Sequence, residues 1–276
     1  MGTTATGFSA VDSSADPGFF IDYLDHMAAA LAEGKQQLLS ALRLAPGQVV
    51  LDVGSGTGDD VRAMARLVGP SGQAIGVDAS RVMVQEARRR AAGDDAAPRF
   101  RLGDANDLPF PTASVDACRA ERVLQHLADP AGAVAEMVRV TRPRGRVAVL
   151  EPDWETLVVD HPDHALTRRI LDTMLARLPN PRVGRQLPRL LASAGLTGIT
   201  VRPVTVLPIR TAEAAAVPRT LEVLRLREAV EQAVAGGLVT GARADRWLAE
   251  VGDAIGSGSL FTAMTTFVVA GLKSET

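Results

Sequence analysis

Residues 49–60 read VVLDVGSGTGDD, Val49 to Asp60. Branched apolar residues run straight into three glycines, Gly54, Gly56 and Gly58. This is the pattern of a buried strand that leaves the sheet through a turn whose backbone comes close to a nucleotide-like ligand. Spacing then separates the ligand classes. A dinucleotide fingerprint needs its third glycine three positions after the second, and that position is Asp59. A phosphate-binding P-loop needs Lys followed by Ser or Thr, and no lysine stands within reach of the turn. Asp59 and Asp60 open the next helix, where their charge repels a phosphate and tolerates a cation. The stretch therefore predicts a cradle for a cationic nucleoside without phosphate.

Outward from this turn the chain alternates. Strands are expected at QVVLDVG, GQAIGVDAS, RFRLGDA, VDACRA and GRVAVLEPD, with helices at GDDVRAMARLVG, RVMVQEARRRAAG and, capped by Asp129 and Pro130, AGAVAEMVRVTR. Short apolar strands alternating with helices predict an α/β fold with a parallel sheet covered on both faces. Beyond it, Ile199–Leu207 and Phe261–Lys273 lack the alternation and are expected to close the sheet as an antiparallel pair. The fold class is thus a Rossmann-like, seven-stranded, mostly parallel sheet with an antiparallel last strand and a helical cap. The expected division is a flexible leader over 1–17 and one domain over 18–276, capped by 18–45 and a helical insertion at 211–257.

The 276 residues suffice for a substantial core, and 46 % apolar with 22 % charged residues is ordinary for a globular chain. A net charge of -2 offers no basic field, so nucleic acid is not expected as a partner. The single cysteine, Cys118, excludes an internal disulfide and a cysteine zinc cluster and reads as a core residue of its strand. No stretch approaches the roughly 18 to 20 apolar residues that span a membrane, and the polar leader lacks signal-peptide features. A cytoplasmic location without a membrane partner is expected. Oligomeric state is not legible.

VLDVGSGTG, residues 50–58, resembles the first motif, hhDhGxGxG, of the class I S-adenosylmethionine-dependent methyltransferases. The resemblance continues through IGVDAS, LGDANDLPF, VDACRAERVLQHLADP and VTRPRGRVAVLEPD, and is strongest to the ubiquinone/menaquinone biosynthesis and natural-product tailoring enzymes. It implies S-adenosylmethionine as cofactor. Asp52, Gly54, Ser55, Gly56 and Gly58 would then lie at its amino-acid end. Asp78, followed by Ala79, would take the ribose diol, and Met83 would pack on the adenine or ribose face. Asp104 would take the adenine amino group and the Ala105 N–H a ring nitrogen. Glu121 and Gln125, at the fourth strand's exit, would contact the cofactor, and Tyr23 sits on a helix that folds over it in relatives. Arg144 replaces the first glycine of the RPGG-type turn, a change confined to that turn.

A sulfonium is already an activated electrophile, so alignment and exclusion of water carry much of the catalysis, and a base is needed only when the acceptor must lose a proton. Candidates are His126 after the fourth strand, and His161 or His164 in VVDHPDHALTRR, oriented by Asp153 or Asp163. No metal is expected. The activity implied is methyl transfer to a small molecule in secondary or cofactor metabolism, with a hydroxyl as the first choice of acceptor and nitrogen or carbon as alternatives. A non-catalytic S-adenosylmethionine-binding protein is a further alternative, and an NAD-dependent oxidoreductase is disfavoured by the glycine spacing.

Overall fold

The computed structural model describes residues 7–207 and 226–275. Its strands are β1 (Val49–Val53), β2 (Gln73–Asp78), β3 (Arg99–Leu102), β4 (Val115–Glu121), β5 (Thr141–Val159), β6 (Leu196–Val206) and β7 (Thr262–Lys273). The helices are α1 (Pro17–Ala30), α2 (Ala32–Leu42), α3 (Asp59–Val68), α4 (Arg81–Arg90), α5 (Pro130–Val140), α6 (His164–Leu175), α7 (Val183–Ser193), α8 (Leu226–Ala235) and α9 (Gly241–Gly256). Seven strands form one sheet in the order β3-β2-β1-β4-β5-β7-β6. β1 pairs in parallel with β2 and β4, β2 with β3, and β4 with β5. Thr200 donates to the Ala270 carbonyl and Thr266 to that of Val204. The residue numbers rise on one strand as they fall on the other, so β6 and β7 run antiparallel, as expected.

Chain order reverses between β1 and β4, and in open α/β sheets the crevice beyond the strand ends at such a switch point is where ligands bind. The elements that build it follow from their sequences. All but the first residue of β1 is buried, the mark of a strand covered on both faces. α3 buries Val61, Met64, Ala65 and Val68, one stripe at helical spacing. α5 starts where Asp129 accepts the Gly132 N–H at 2.9 Å with Pro130 in its first turn. Its end is closed by Lys273, whose Nζ donates to the carbonyls of Val138 and Thr141 at 2.7 Å, a cation on exposed helix carbonyls.

The GRVAVLEPD strand is longer than the sequence suggests. It starts at Thr141 and continues to Val159, so the RPRG turn belongs to the strand. Arg144 occupies it at φ 63°, the left-handed conformation that favours glycine.

The chain divides into two compact units. Unit 1 comprises residues 1–152, 183–204 and 266–276, and unit 2 residues 153–182 and 205–265. The helices of residues 18–45 thus fall in unit 1. The expected 211–257 insertion falls in unit 2 together with α6, its first part, 211–225, lying outside the described residues. Within the leader, residues 7–13 form a 3-10 helix. Unit 2 has its own core, in which Leu157, Ile170, Val230, Trp247 and Val251 meet, and Trp247 Nε1 donates to Thr167 Oγ1 at 2.9 Å. Cys118 is fully buried in unit 1, which pushes its thiol pKa up.

Candidate functional site

All three turn glycines have positive φ, 70° at Gly54, 50° at Gly56 and 83° at Gly58. What they face differs. A Cβ on Gly54 would lie 2.2 Å from Val123 Cγ2, and one on Gly58 would lie 2.6 Å from Phe100. These two glycines let the turn close against the protein itself. A Cβ on Gly56 would meet only Leu24 of α1, at 3.1 Å. The Ser55 hydroxyl is buried with no hydrogen-bond partner among the described residues.

Asp78, at the end of β2, accepts the Gly56 N–H at 2.8 Å on one oxygen and the Ser80 N–H at 2.9 Å on the other. Desolvation raises its pKa. Ala79 beside it is exposed. Ser80 caps α4 by accepting from the Met83 N–H, and Asp12 of the leader bonds the Ser80 hydroxyl and accepts from Arg81 N at 2.9 Å. Met83 is buried at 2 % exposure. Asp104 is exposed and takes the Asn106 N–H at 2.8 Å, which folds its own turn, and Ala105 beside it is buried.

Beneath the glycine turn lies a buried charge network that the sequence did not disclose. Arg119 of β4, 1 % exposed, stands 3.2 Å from both Asp52 and Asp60 and 2.7 Å from Glu121. Lys35 of α2 pairs with Asp60 and, at 3.0 Å, with Glu121. Three carboxylates thus share two cations. Asp60, bonded by both, is held well below the usual carboxylate range. Asp52, wholly buried and repelled by the other two acids, is pushed up to about 7 against the pull of Arg119. Asp59 pairs with Arg90 at 2.9 Å. The acids that read as cation-tolerant therefore serve the protein's own cations.

The exit of β4 packs on the glycine turn. Arg122 adopts φ 55°, and its N–H donates to the Leu150 carbonyl at 2.8 Å. Glu151 Oε1 accepts the N–H groups of Val123 at 2.7 Å and Leu124 at 2.6 Å. Glu151 was missed in the sequence, where it lies inside an apolar strand. Gln125, 3 % exposed, donates to the Arg122 carbonyl. His126 has its ring 5.5 Å from Phe8, which also packs on Phe20 and Tyr23. The Arg122 guanidinium lies 5.8 Å from the Tyr23 ring centre.

The remaining candidates, Asp153, His161 and His164, belong to unit 2. His161 is buried, its Nδ1 accepts the Asp163 N–H at 3.0 Å, and its Nε2 is 2.9 Å from Glu250. Asp163 caps α6 at the Leu166 N–H and pairs with Arg243, so it does not orient a histidine through its carboxylate. His164 is exposed at the start of α6. Asp153 is 1 % exposed and accepts from the Glu155 N–H at 3.3 Å.

The methyltransferase domain family matches residues 51–149. An uncharacterised 37.1 kDa protein in transposon TN4556 of Streptomyces fradiae is 41 % identical over 255 residues, 90 % of this chain and 70 % of that protein. The ubiquinone/menaquinone biosynthesis C-methyltransferase UbiE of Burkholderia vietnamiensis is 39 % identical over 114 residues, 41 % of this chain and 47 % of that enzyme. The chain belongs to the class I S-adenosylmethionine-dependent methyltransferases. The fold of this methyltransferase is also that of phosphoethanolamine N-methyltransferase 2 from Haemonchus contortus, at a TM-score of 0.59 and 18 % identity over 98 % of this chain and 61 % of that one.

The methyltransferase's residues fit the family's cofactor. Asp78 has accepted two of the roughly four hydrogen bonds a carboxylate takes, leaving acceptor capacity for a ribose diol. The Ser55 hydroxyl is an orphaned polar atom in the same turn. A Cβ on Gly56 would meet only Leu24, at 3.1 Å, so its backbone is otherwise open to a ligand. The buried network carries three acids against two cations, so a cationic cofactor meets no net repulsion beneath the turn. Among the described residues no helix is long and apolar enough to cross a membrane, and no cluster of side chains is suited to a metal ion.

Proposed function

We propose that this methyltransferase methylates a small organic molecule, with a hydroxyl as the acceptor. The observation that carries the small-molecule reading is the charge at the β1/β4 switch point. Its cations, the buried Arg119 and the partly buried Lys35, are paired with Asp52, Asp60 and Glu121 and are not offered to a polyanion. The likeness to UbiE, a C-methyltransferase of quinone biosynthesis, supports an acceptor of that size and leaves carbon as the competing target atom.

S-adenosylmethionine, when bound, supplies a methyl group on a sulfonium leaving group. This chain's residues bind and orient. Asp78 holds the ribose hydroxyls, the Gly54–Gly58 backbone and Ser55 cradle the amino-acid end, and Asp104 with the Ala105 N–H takes the adenine. Phe8, Phe20 and Tyr23 pack together beside His126, an apolar cover that keeps water from the cleft. A hydroxyl nucleophile must lose its proton, and we assign that step to His126. His161 belongs to the other compact unit, where its Nδ1 already accepts the Asp163 N–H.

The test is release of S-adenosylhomocysteine, followed by mass spectrometry, with a panel of phenols, alcohols, amines and carbon nucleophiles. Turnover confined to hydroxyl compounds and lost in His126→Ala supports the assignment. Turnover only at carbon or nitrogen overturns the acceptor, and tight binding of S-adenosylmethionine with no turnover anywhere points instead to a binding protein.

A further inference from the structure

The exit of β4 carries a strained backbone position. Arg122 holds a left-handed φ of 55° without being glycine, a conformation that costs free energy and persists only when its surroundings enforce it. Three observations show what enforces it. Glu151 Oε1 accepts the Val123 and Leu124 N–H groups, and the Gln125 N–H adds to the same carboxyl. Glu151 itself is fully buried at 0 % exposure. Its other oxygen, Oε2, has no hydrogen-bond partner among the described residues. A side chain of this kind is expensive to bury, and here its bonds go to one turn.

That turn faces the glycine turn across the switch point. Val123 fills the space a Cβ on Gly54 would need, so the positions of the two loops are locked together. We propose that Glu151 is the positioning residue for the methyl end of the cofactor cleft, holding the backbone of 122–125 in the shape that seats Val123 against the glycine turn and sets the places of Gln125 and His126 beside it. The inference rests on the cofactor reading above and goes beyond it by assigning a role to a side chain that need not touch cofactor or acceptor. What the role demands is a neutral or charged oxygen acceptor at the right reach. Glutamine preserves that acceptor, aspartate withdraws it by one methylene, and alanine removes it.

The experiment uses the full chain with S-adenosylhomocysteine as probe, measured by calorimetry, alongside amide hydrogen exchange. Glu151→Gln is expected to bind within about threefold of the parent, and Glu151→Asp and Glu151→Ala to bind about tenfold or more weakly. In the latter two, exchange at Val123, Leu124 and Gln125 is expected to quicken by about a hundredfold while β1 and β2 stay protected. A general loss of packing would expose β1 and β2 as well. Parent-like binding and protection in Glu151→Asp overturn the proposal. If Glu151→Ala does not fold, the glutamine and aspartate variants decide it. If the parent binds no S-adenosylhomocysteine, the cofactor reading fails, while exchange at 123–125 still tests the role of Glu151.

Discussion

At the scale of single residues, the decisive feature is that identical residue types do different work a few ångströms apart. Gly54 and Gly58 are glycine because Val123 and Phe100 occupy the space of their Cβ atoms. Gly54→Ala adds left-handed strain to that overlap and is expected to destabilise by about 3 kcal/mol in chemical denaturation. Adding Val123→Ala should recover part of the loss, because it removes the overlapping methyl groups and leaves only the strain. The carboxylates separate in the same way. Asp78 is expected to be needed for the ribose, so Asp78→Ala should weaken S-adenosylhomocysteine binding by about tenfold or more, and unchanged affinity would remove it from the site. Asp52 belongs to the buried network, and its pKa is raised to about 7. In the unfolded chain it ionises near its ordinary value of about 4. Between these two pH values the unfolded state binds fewer protons than the folded one, so stability falls as pH rises from about 4 to 7. Asp52→Asn does not titrate, and its urea stability should decline less over that window than the parent's. An equal decline in both would assign the pH dependence elsewhere.

At the scale of elements, the strand and helix alternation was legible because each element carries its own periodic signal. β1, α3 and the Asp129-capped α5 form where the pattern places them. The antiparallel β6 and β7 were legible from the break in alternation. Three things were not. β5 runs on to Val159 because its far end pairs inside unit 2, where the Asp160 N–H donates to the Phe261 carbonyl at 2.9 Å, a contact between residues distant in sequence. Arg119 sits in the apolar run VDACRA, and besides Glu121 of its own strand its partners, Asp52 and Asp60, come from β1 and α3, so no local pattern announces how its charge is neutralised. Glu151 was hidden for the same reason, its partners being amides of another strand's exit. The leader illustrates the remaining case. Its polar residues suggested looseness, yet Asp12 reaches the first turn of α4. Asp12→Ala removes an acceptor from a helix start and is expected to cost about 1 kcal/mol. That loss would lower the melting temperature by roughly 2–4 °C, and an unchanged melting curve would show that Ser80 caps α4 alone.

At the scale of the whole molecule, the division into units separates the residues proposed to hold the cofactor from three of the candidate catalytic residues. Every residue assigned to the cofactor, from Tyr23 to Gln125, lies in unit 1, whereas Asp153, His161 and His164 lie in unit 2. Both tryptophans of the chain, Trp154 and Trp247, also lie in unit 2, and Trp247 is fixed in that unit's core by its bond to Thr167. The chain therefore carries a built-in reporter for one unit only. A ligand that binds the folded state at a hundred times its dissociation constant adds about 2.7 kcal/mol of stability. In a protein of this size that amounts to a rise of roughly 5–10 °C in melting temperature. Saturating S-adenosylhomocysteine should produce that rise by far-ultraviolet circular dichroism while leaving the native tryptophan emission spectrum unchanged, because every residue proposed to contact it lies in unit 1. A spectral change on adding the cofactor product would place unit 2 residues in its site, and would return His161, His164 and Asp153 to consideration at the point of methyl transfer.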